Sequence, residues 1–204
     1  MVKKMSLKVK RSFDIIAALG GIIIFLPLFI VSALLIKIKL GSPILFRQKR
    51  IGKDNKEFEL IKFRTMKNTV DKNGENLPDE KRITKFGSKL RSLSIDELPE
   101  LINILRGEMS LIGPRPLLPQ YIPLYNENQI RRHEVMPGLT GYAQVNGRNN
   151  LSWHEKFKLD VYYVDNWSLK LDIKIFFMTF YKILKREGIN KKDHVTTEYF
   201  NGDN

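Results

Sequence analysis

An unbroken apolar run from Ile15 to Ile36, with Pro27 near its middle and basic residues at both ends, limits what this chain can become more than any other feature. At about 1.5 Å per helical residue the run reaches about 33 Å, enough for a hydrocarbon core of roughly 30 Å. Lys3, Lys4, Lys8, Lys10 and Arg11 precede it, and Lys37, Lys39, Arg47, Lys49 and Arg50 follow it. Positive charge stays on the cytoplasmic side of a membrane, so both ends ask for the same side. Pro27 lacks an N–H and its ring meets the carbonyl of Ile23, so the helix is expected to break or bend there. Two arrangements satisfy these facts. One is a helix–break–helix hairpin that enters and leaves by the cytoplasmic face. The other is a single kinked span, because proline is tolerated in spans. The hairpin, broken at Pro27, is the expectation adopted here. A cleaved signal peptide fits less well: the run is long for its apolar region, and no small-x-small cleavage site follows.

The chain has 204 residues and a formal net charge of +13. Beyond the first forty residues there is enough chain for one domain. The absence of cysteine excludes disulfides, thiolate metal sites and a cysteine nucleophile. Excess lysine and arginine point to polyanionic partners, and beside a membrane segment anionic lipid head groups are expected rather than nucleic acid. There is no Gly-x-x-x-x-Gly-Lys phosphate loop, no Gly-x-Gly-x-x-Gly dinucleotide loop and no Asp-x-Asp pair. His133, His154 and His194 are scattered without zinc spacing.

Gly41-Ser42-Pro43 closes the apolar unit, and residues 58–63 alternate weakly, as a short strand does. Residues 70–80 read as an exposed loop. Ile83, Phe86, Leu90 and Leu93 have helical spacing, and residues 94–105 read as a second helix with Leu98, Leu101, Ile102 and Leu105 on one face. Gly113-Pro114-Arg115-Pro116 reads as a rigid loop, residues 121–135 as a helix, and Pro137 to Gly141 and Asn146 to Asn150 as turns. Ser152 with Glu155 predicts a capping box opening a helix. Residues 171–185 interleave aromatic and aliphatic residues with Lys174, Lys182 and Lys185, the pattern of a core helix or of one lying in the head-group layer. The fold class expected is mainly α with a small β component.

The constellation with chemical potential is Arg91-Ser92-Leu93-Ser94-Ile95-Asp96-Glu97-Leu98-Pro99. Locally, Ser94 and Glu97 have the spacing of a capping box, and acidic residues suit a helix N-terminus. A functional reading starts from the same adjacency: two carboxylates near basic residues attract phosphate and Mg²⁺ together, and an ionised Asp can attack phosphorus. Lys62, Arg64, Arg91, Arg115 and Arg148 are the candidate phosphate or nucleotide ligands, since arginine forks suit phosphate oxygens. Asp96 and Glu97 are the candidate catalytic and metal-binding residues.

Four ordered motifs carry a resemblance: Lys62-Phe63-Arg64-Thr65-Met66, the segment 91–99, Gly107 to Pro116, and Pro137 to Arg148. Together they resemble the bacterial sugar transferases, specifically the small monotopic polyprenyl-phosphate phosphoglycosyl transferases. The tail from His194 to Gly202 is similar to the subgroup that starts bacterial N-linked protein glycosylation from UDP-N,N'-diacetylbacillosamine. The resemblance implies transfer of a sugar 1-phosphate from a UDP-sugar to undecaprenyl phosphate, with release of UMP. It implies Asp96 as a nucleophile that forms an aspartyl phosphosugar, Glu97 as its helper, and Mg²⁺ as cofactor. It also implies residues 1–40 as basic N-terminus and re-entrant hairpin, 41–187 as a cytoplasmic catalytic domain with interfacial amphipathic helices, and 188–204 as a tail. The setting implied is the cytoplasmic face of the bacterial inner membrane, beside downstream glycosyltransferases. One departure stands out: the family's hairpin often has Ser before the proline, whereas here the pair is Leu26-Pro27 and Ser32 is the nearest hydroxyl. A hexose-1-phosphate transferase priming capsule or O-antigen polysaccharide is the alternative within the enzyme class. A membrane-tethered polyanion-binding module is the alternative outside it.

Overall fold

The computed structural model describes residues 2–72, 74–75, 77–147, 150–185 and 199–203. The apolar run lies inside helix α1 (Val2–Leu40), which is helical on both sides of Pro27. The expected separation into two helices does not occur: the proline removes one N–H, but its φ is helical, and every other backbone group of an apolar segment gains by keeping its helical bond. Ser32 is buried on the inner face of this helix. Among the described residues, α1 is the one helix long and apolar enough to cross a membrane.

Both halves of α1 dock on the same domain. Near its start, the Lys10 ammonium meets Asp172 at 2.7 Å and donates to the Ile112 carbonyl at 3.0 Å. Arg11 donates to the carbonyls of Ile104 and Leu105, at 2.7 and 3.1 Å, and Asp14 accepts from the Leu111 N–H at 3.0 Å. Ala18 is fully buried against Leu101, Ile104 and Met109. A Cβ on Gly21 would stand 3.1 Å from a methyl of Leu101. Near its end, Ile36 is buried with Phe63 and Leu90, and Phe29 meets Phe63 edge-on at 5.7 Å. The opposite face bears Ile16, Ile23, Ile24, Ile30, Leu34 and Ile38 in the open. Heptad-like spacing thus sorts the helix into a docked stripe and an exposed apolar stripe.

Strand β1 (Leu45–Ile51) pairs antiparallel with β2 (Glu57–Phe63), setting Leu45 opposite Phe63. Their connection turns at Asp54 and Asn55, both at positive φ, as Asp and Asn tolerate. After the short helix α2 (Asp79–Arg82), helix α3 (Lys85–Ser92) is capped by Thr84, whose hydroxyl accepts from the Gly87 N–H at 3.0 Å. Helix α4 (Glu100–Arg106) lies against both α1 and β2. Its buried Asn103 accepts the Ile61 N–H at 3.0 Å and donates to the Glu59 carbonyl at 2.8 Å, so one amide satisfies the open edge of β2.

The expected loop at residues 113–116 is irregular chain, but most of the turn expected over 137–141 is a strand. Strand β3 (Ser110–Ile112) runs parallel to β4 (Gly138–Thr140), and the Gly113 N–H donates to the Thr140 carbonyl at 2.9 Å. Glycine permits this approach, because a Cβ on Gly138 would fall 2.1 Å from the Gly113 nitrogen. The α-helix expected over residues 121–135 is replaced by two 3-10 turns, Pro119–Leu124 and Gln129–Glu134. Pro119 and Pro123 supply no N–H to an i→i+4 ladder, which accounts for the first. Helix α5 (Tyr142–Asn146) follows, then α6 (Trp153–Asn166), which opens on the predicted Ser152–Glu155 capping box. Helix α7 (Leu169–Lys185) buries Ile175 and leaves Ile173, Phe177, Phe180 and Tyr181 exposed. The described structure is mainly helical with two small two-stranded sheets.

Two glycine substitutions separate these roles. Gly138→Ala should destabilise the protein by about 1–3 kcal/mol, as overpacked backbone does. Gly20→Ala, where an added Cβ meets nothing within 4 Å, should be neutral or stabilising by up to about 1 kcal/mol. Thermal midpoints in detergent or nanodiscs check both, and equal midpoints for the two variants would refute the packing argument.

Candidate active site

Asp96 and Glu97 sit on a 3-10 turn, Ile95–Glu97, between α3 and α4. The turn begins at Ser94, which is held at φ 55°, ψ 22°, an unusual conformation for a residue with a Cβ. Ser94 caps nothing with its side chain, so the capping box expected with Glu97 is absent. Glu97 has stronger partners. Its Oε1 accepts from the Lys62 ammonium at 2.8 Å and from Arg115 Nη2 at 2.9 Å. Two charge-assisted bonds outweigh one bond to a backbone N–H. Residues 94–105 are therefore not one helix: the chain turns through Ser94, presents the dyad, and resumes as α4 after Pro99.

Lys62 projects from β2 into a cluster of carboxylates. It also pairs with Glu100 at 2.9 Å, and its ammonium and the Glu100 carboxyl are both nearly excluded from solvent. Burial alone would lower the Lys62 pKa, but Glu97 and Glu100 outweigh it, and the value is raised. Burial likewise acts to raise Glu97, but Lys62 and Arg115 hold it well below the usual carboxylate range. Glu100 is pushed by burial up to about 7, against the pull of Lys62.

Asp96 differs from both. It is 8% exposed, and it forms no hydrogen bond or ion pair with the described residues. Burial, then the neighbouring Glu97 charge, raise its pKa, opposed by Lys62, Arg91 and Arg115. A carboxylate without donors keeps its lone pairs free, as attack on phosphorus requires. Among the described residues no group of three or more His, Cys, Asp or Glu could hold a metal alone. Asp96 and the free Oε2 of Glu97 do fit the partial shell by which Mg²⁺ is usually held, with water and substrate phosphate as the other ligands.

The structure brings Asp96, Glu97, Lys62 and Arg115 together. Arg91 stands close enough to act on Asp96 by charge, and its Nε donates to the Thr65 hydroxyl at 2.9 Å. Arg64 points elsewhere. Its guanidinium donates to the Leu40 carbonyl at 2.5 Å and the Ser42 carbonyl at 2.9 Å, so the expected phosphate ligand is a brace for the end of α1. Arg148 lies outside the described residues. Two site residues were not anticipated. Glu100 is three positions from Glu97, a spacing that shares a helix face and would have flagged it. Arg50, read as part of the flanking positive charge, lies beside the Arg115 loop, with Nη1 3.4 Å from the Pro116 carbonyl. Burial and the Arg115 charge lower its pKa to about 10. Of the histidines, His133 is buried and His154 exposed, while His194 lies outside the described residues.

Comparison with known proteins gives the family. The chain belongs to the bacterial sugar transferase family, whose model matches residues 5–186, and it is an enzyme of that class. It is 53% identical over 193 residues to the uncharacterized sugar transferase EpsL of Bacillus subtilis, covering 95% of this chain and 96% of that one. It is 38% identical over 187 residues to the exopolysaccharide production protein ExoY of Rhizobium meliloti, covering 83% of each. It is 41% identical over 192 residues to the undecaprenyl-phosphate glucose phosphotransferase of Komagataeibacter xylinus, covering 87% of this chain but 35% of the longer relative.

The shared use of Lys62 yields a test. Lys62→Ala takes the shared cation from two carboxylates, Glu97 and Glu100, and breaking one partner of such a cluster should destabilise by about 3–5 kcal/mol. Adding Glu100→Gln should recover part of that loss. Denaturant unfolding of the single and double variants measures it, and a double variant weaker than Lys62→Ala would refute the shared-cation account.

Proposed function

We propose that this chain is a phosphoglycosyl transferase that moves a sugar 1-phosphate from a UDP-sugar to undecaprenyl phosphate and so primes an exopolysaccharide. The observation that carries the reading is the contrast within the dyad: Glu97 is clamped by Lys62 and Arg115, while Asp96 beside it is unbonded. In the first step an Asp96 oxygen attacks the sugar-bearing phosphorus and the bond from that phosphorus to UMP breaks. UMP leaves, and the sugar phosphate remains on Asp96 as an acyl phosphate. In the second step an oxygen of undecaprenyl phosphate attacks the same phosphorus, the bond to Asp96 breaks, and undecaprenyl-diphosphate sugar departs. Arg115, with Lys62 behind it, offsets negative charge gathered on the phosphoryl oxygens. Mg²⁺ bound through Asp96 and Glu97 would add Lewis-acid charge neutralisation there.

For the sugar, a hexose is the favoured reading. The Komagataeibacter relative is named for glucose transfer, and the Rhizobium one for exopolysaccharide production. The tail similarity that pointed to N,N'-diacetylbacillosamine and protein glycosylation falls mostly outside the described residues. Downstream glycosyltransferases are the proposed consumers of the product.

The docking of α1 supports a reading of the membrane arrangement. Lys10, Arg11 and Asp14 at one end of α1, and Leu40 at the other, are bonded to one domain, which supports placing both ends on that domain's side of the membrane. That favours re-entrant insertion at the cytoplasmic face of the inner membrane over a span. The exposed Ile173, Phe177, Phe180 and Tyr181 of α7 continue the apolar face of α1 through the Phe13–Phe176 contact at 6.4 Å. With Lys174, Lys182 and Lys185 on the same helix, α7 suits an interface of anionic lipid.

Two experiments test this. With UDP-glucose and undecaprenyl phosphate, the protein should release UMP, EDTA should abolish release, and brief exposure to donor alone should leave a phosphosugar on Asp96. Asp96→Asn should retain the fold and lose about four orders of magnitude or more in turnover. UMP release by that variant at the unmodified rate would end the proposal. For topology, the chain lacks cysteine, so Ser6→Cys is a unique label. In intact cells it should resist impermeant maleimide, and labelling from outside would contradict the re-entrant arrangement.

A further inference from the structure

The loop that carries Arg115 is held at four successive carbonyls. Pro114 accepts from the Gly138 N–H at 2.9 Å, Pro116 from Arg50 at 3.4 Å, and Leu117 from the Ile51 N–H at 3.0 Å. The shortest of the four bonds runs to Arg115 itself: its carbonyl accepts from Arg132 Nη2 at 2.6 Å. Arg132 is 2% exposed and is gripped in turn by Asp160 of α6, whose Oδ2 accepts from Nε at 3.0 Å and from Nη2 at 2.8 Å. Its remaining nitrogen, Nη1, lies 3.4 Å from Nε2 of His133, and His133 Nδ1 lies 2.7 Å from the Asn55 side-chain oxygen. An arginine only donates, so His133 Nε2 accepts, and its Nδ1 carries the proton that binds Asn55. The guanidinium also lies 5.8 Å from the Phe157 ring.

Every face of this cation is thus spoken for, and one of its bonds ends on the backbone of a residue that clamps Glu97. We propose that the Arg132–Asp160 pair is a positioning device for the phosphate-binding arginine: it fixes the Arg115 backbone so that the guanidinium meets Glu97 and the donor's phosphate without searching. The inference rests on the phosphoglycosyl transferase reading and adds to it residues that touch no reacting atom. Lysine cannot substitute at position 132, because a point charge lacks the fork that reaches Asp160 twice and the Arg115 carbonyl once.

A purely structural pair and a positioning pair differ in a double-mutant cycle scored on UMP release. Arg132→Lys should lower kcat/KM by about tenfold or more, as a small misplacement of a clamp does. Arg115→Ala should lower it by about 100-fold. If Arg132 acts through Arg115, the double variant should fall within about threefold of Arg115→Ala, because nothing is left to position. Thermal midpoints taken in parallel show how much fold stability each change removes. Should Arg132→Lys fail to fold, the isosteric Asp160→Asn carries the same cycle. Multiplicative losses in an otherwise folded protein would overturn the positioning role and leave the transferase reading intact. A wild-type protein that releases no UMP from any UDP-sugar would overturn the reading and this inference with it.

Discussion

A lysine ammonium between a buried glutamate and a half-buried one holds the site together. Asp96, Glu97 and Glu100 lie within five residues, and all three are drawn out of water. Like charges packed so closely in a medium of reduced dielectric repel strongly and would not stay ionised unaided. Lys62 supplies the missing charge, but only if β2 is held against α4. Asn103 does that by bonding the edge of β2 at Ile61 and Glu59, next to Lys62 in the strand. The electrostatics of the dyad therefore depend on a neutral amide one helical turn beyond Glu100. That amide is fully buried and bonded at both ends.

The same two elements tie the chemistry to the membrane segment. On β2 and just past it, Lys62 reaches the dyad while Arg64, two residues on, reaches the last carbonyls of the membrane helix. On α4, Glu100 opens the helix beside Lys62, while the carbonyls of Ile104 and Leu105 at its far end accept from Arg11. A cation at a helix C-terminus also complements its dipole. Displacing the apolar helix therefore strains both supports of the catalytic turn. For an enzyme whose donor is soluble and whose acceptor is greasy, this rigid link is the useful part. In the proposed transferase it would set the height of Asp96 relative to the exposed apolar faces of α1 and α7, so that one carboxylate could meet both substrates at a fixed depth.

Features governed by neighbours in sequence were legible in advance. The strand at residues 58–63, the helix over 85–92, the Ser152 cap and the helical character of the apolar run, though not its continuity through Pro27, all rest on periodicity or short-range bonds. Features governed by distant partners were not. Gly113 to Pro116 and Pro137 to Gly141 each read as irregular chain, since neither carries the alternating apolar pattern of a strand. The first is irregular, yet residues 138–140 of the second pair with the strand at 110–112 because glycine lets two backbones approach, a property visible only once both are placed. The partners of Arg64 were hidden for a related reason. Residue type says that a guanidinium seeks oxygens, and its oxygens proved to be backbone carbonyls rather than phosphate. Arg132 and Asp160 carried no signal at all, being 28 residues apart with no motif between them.

Ser94 shows how the two levels compete. Its spacing to Glu97 suits a capping box, and at Ser152 the same four-residue pattern does form one, with Glu155 bonded to the cap residue's own N–H at 2.8 Å. The difference lies in what else each glutamate can reach. Glu155 is at the surface, where its local bond competes only with water. Glu97 has Lys62 and Arg115 within 3 Å, and a neutral bond worth about 0.5–1.5 kcal/mol yields to charge-assisted ones worth about 1.5–3 kcal/mol each. Once Glu97 turns to the cations, Ser94 is left to make the reversal in a left-handed conformation, a strain of order 1–3 kcal/mol that the ion pairs sustain. The same turn leaves Asp96 with no bond of its own. A capping box would have tied Glu97 to a backbone N–H; without it Glu97 goes to the cations and Asp96 beside it keeps its oxygens unbonded.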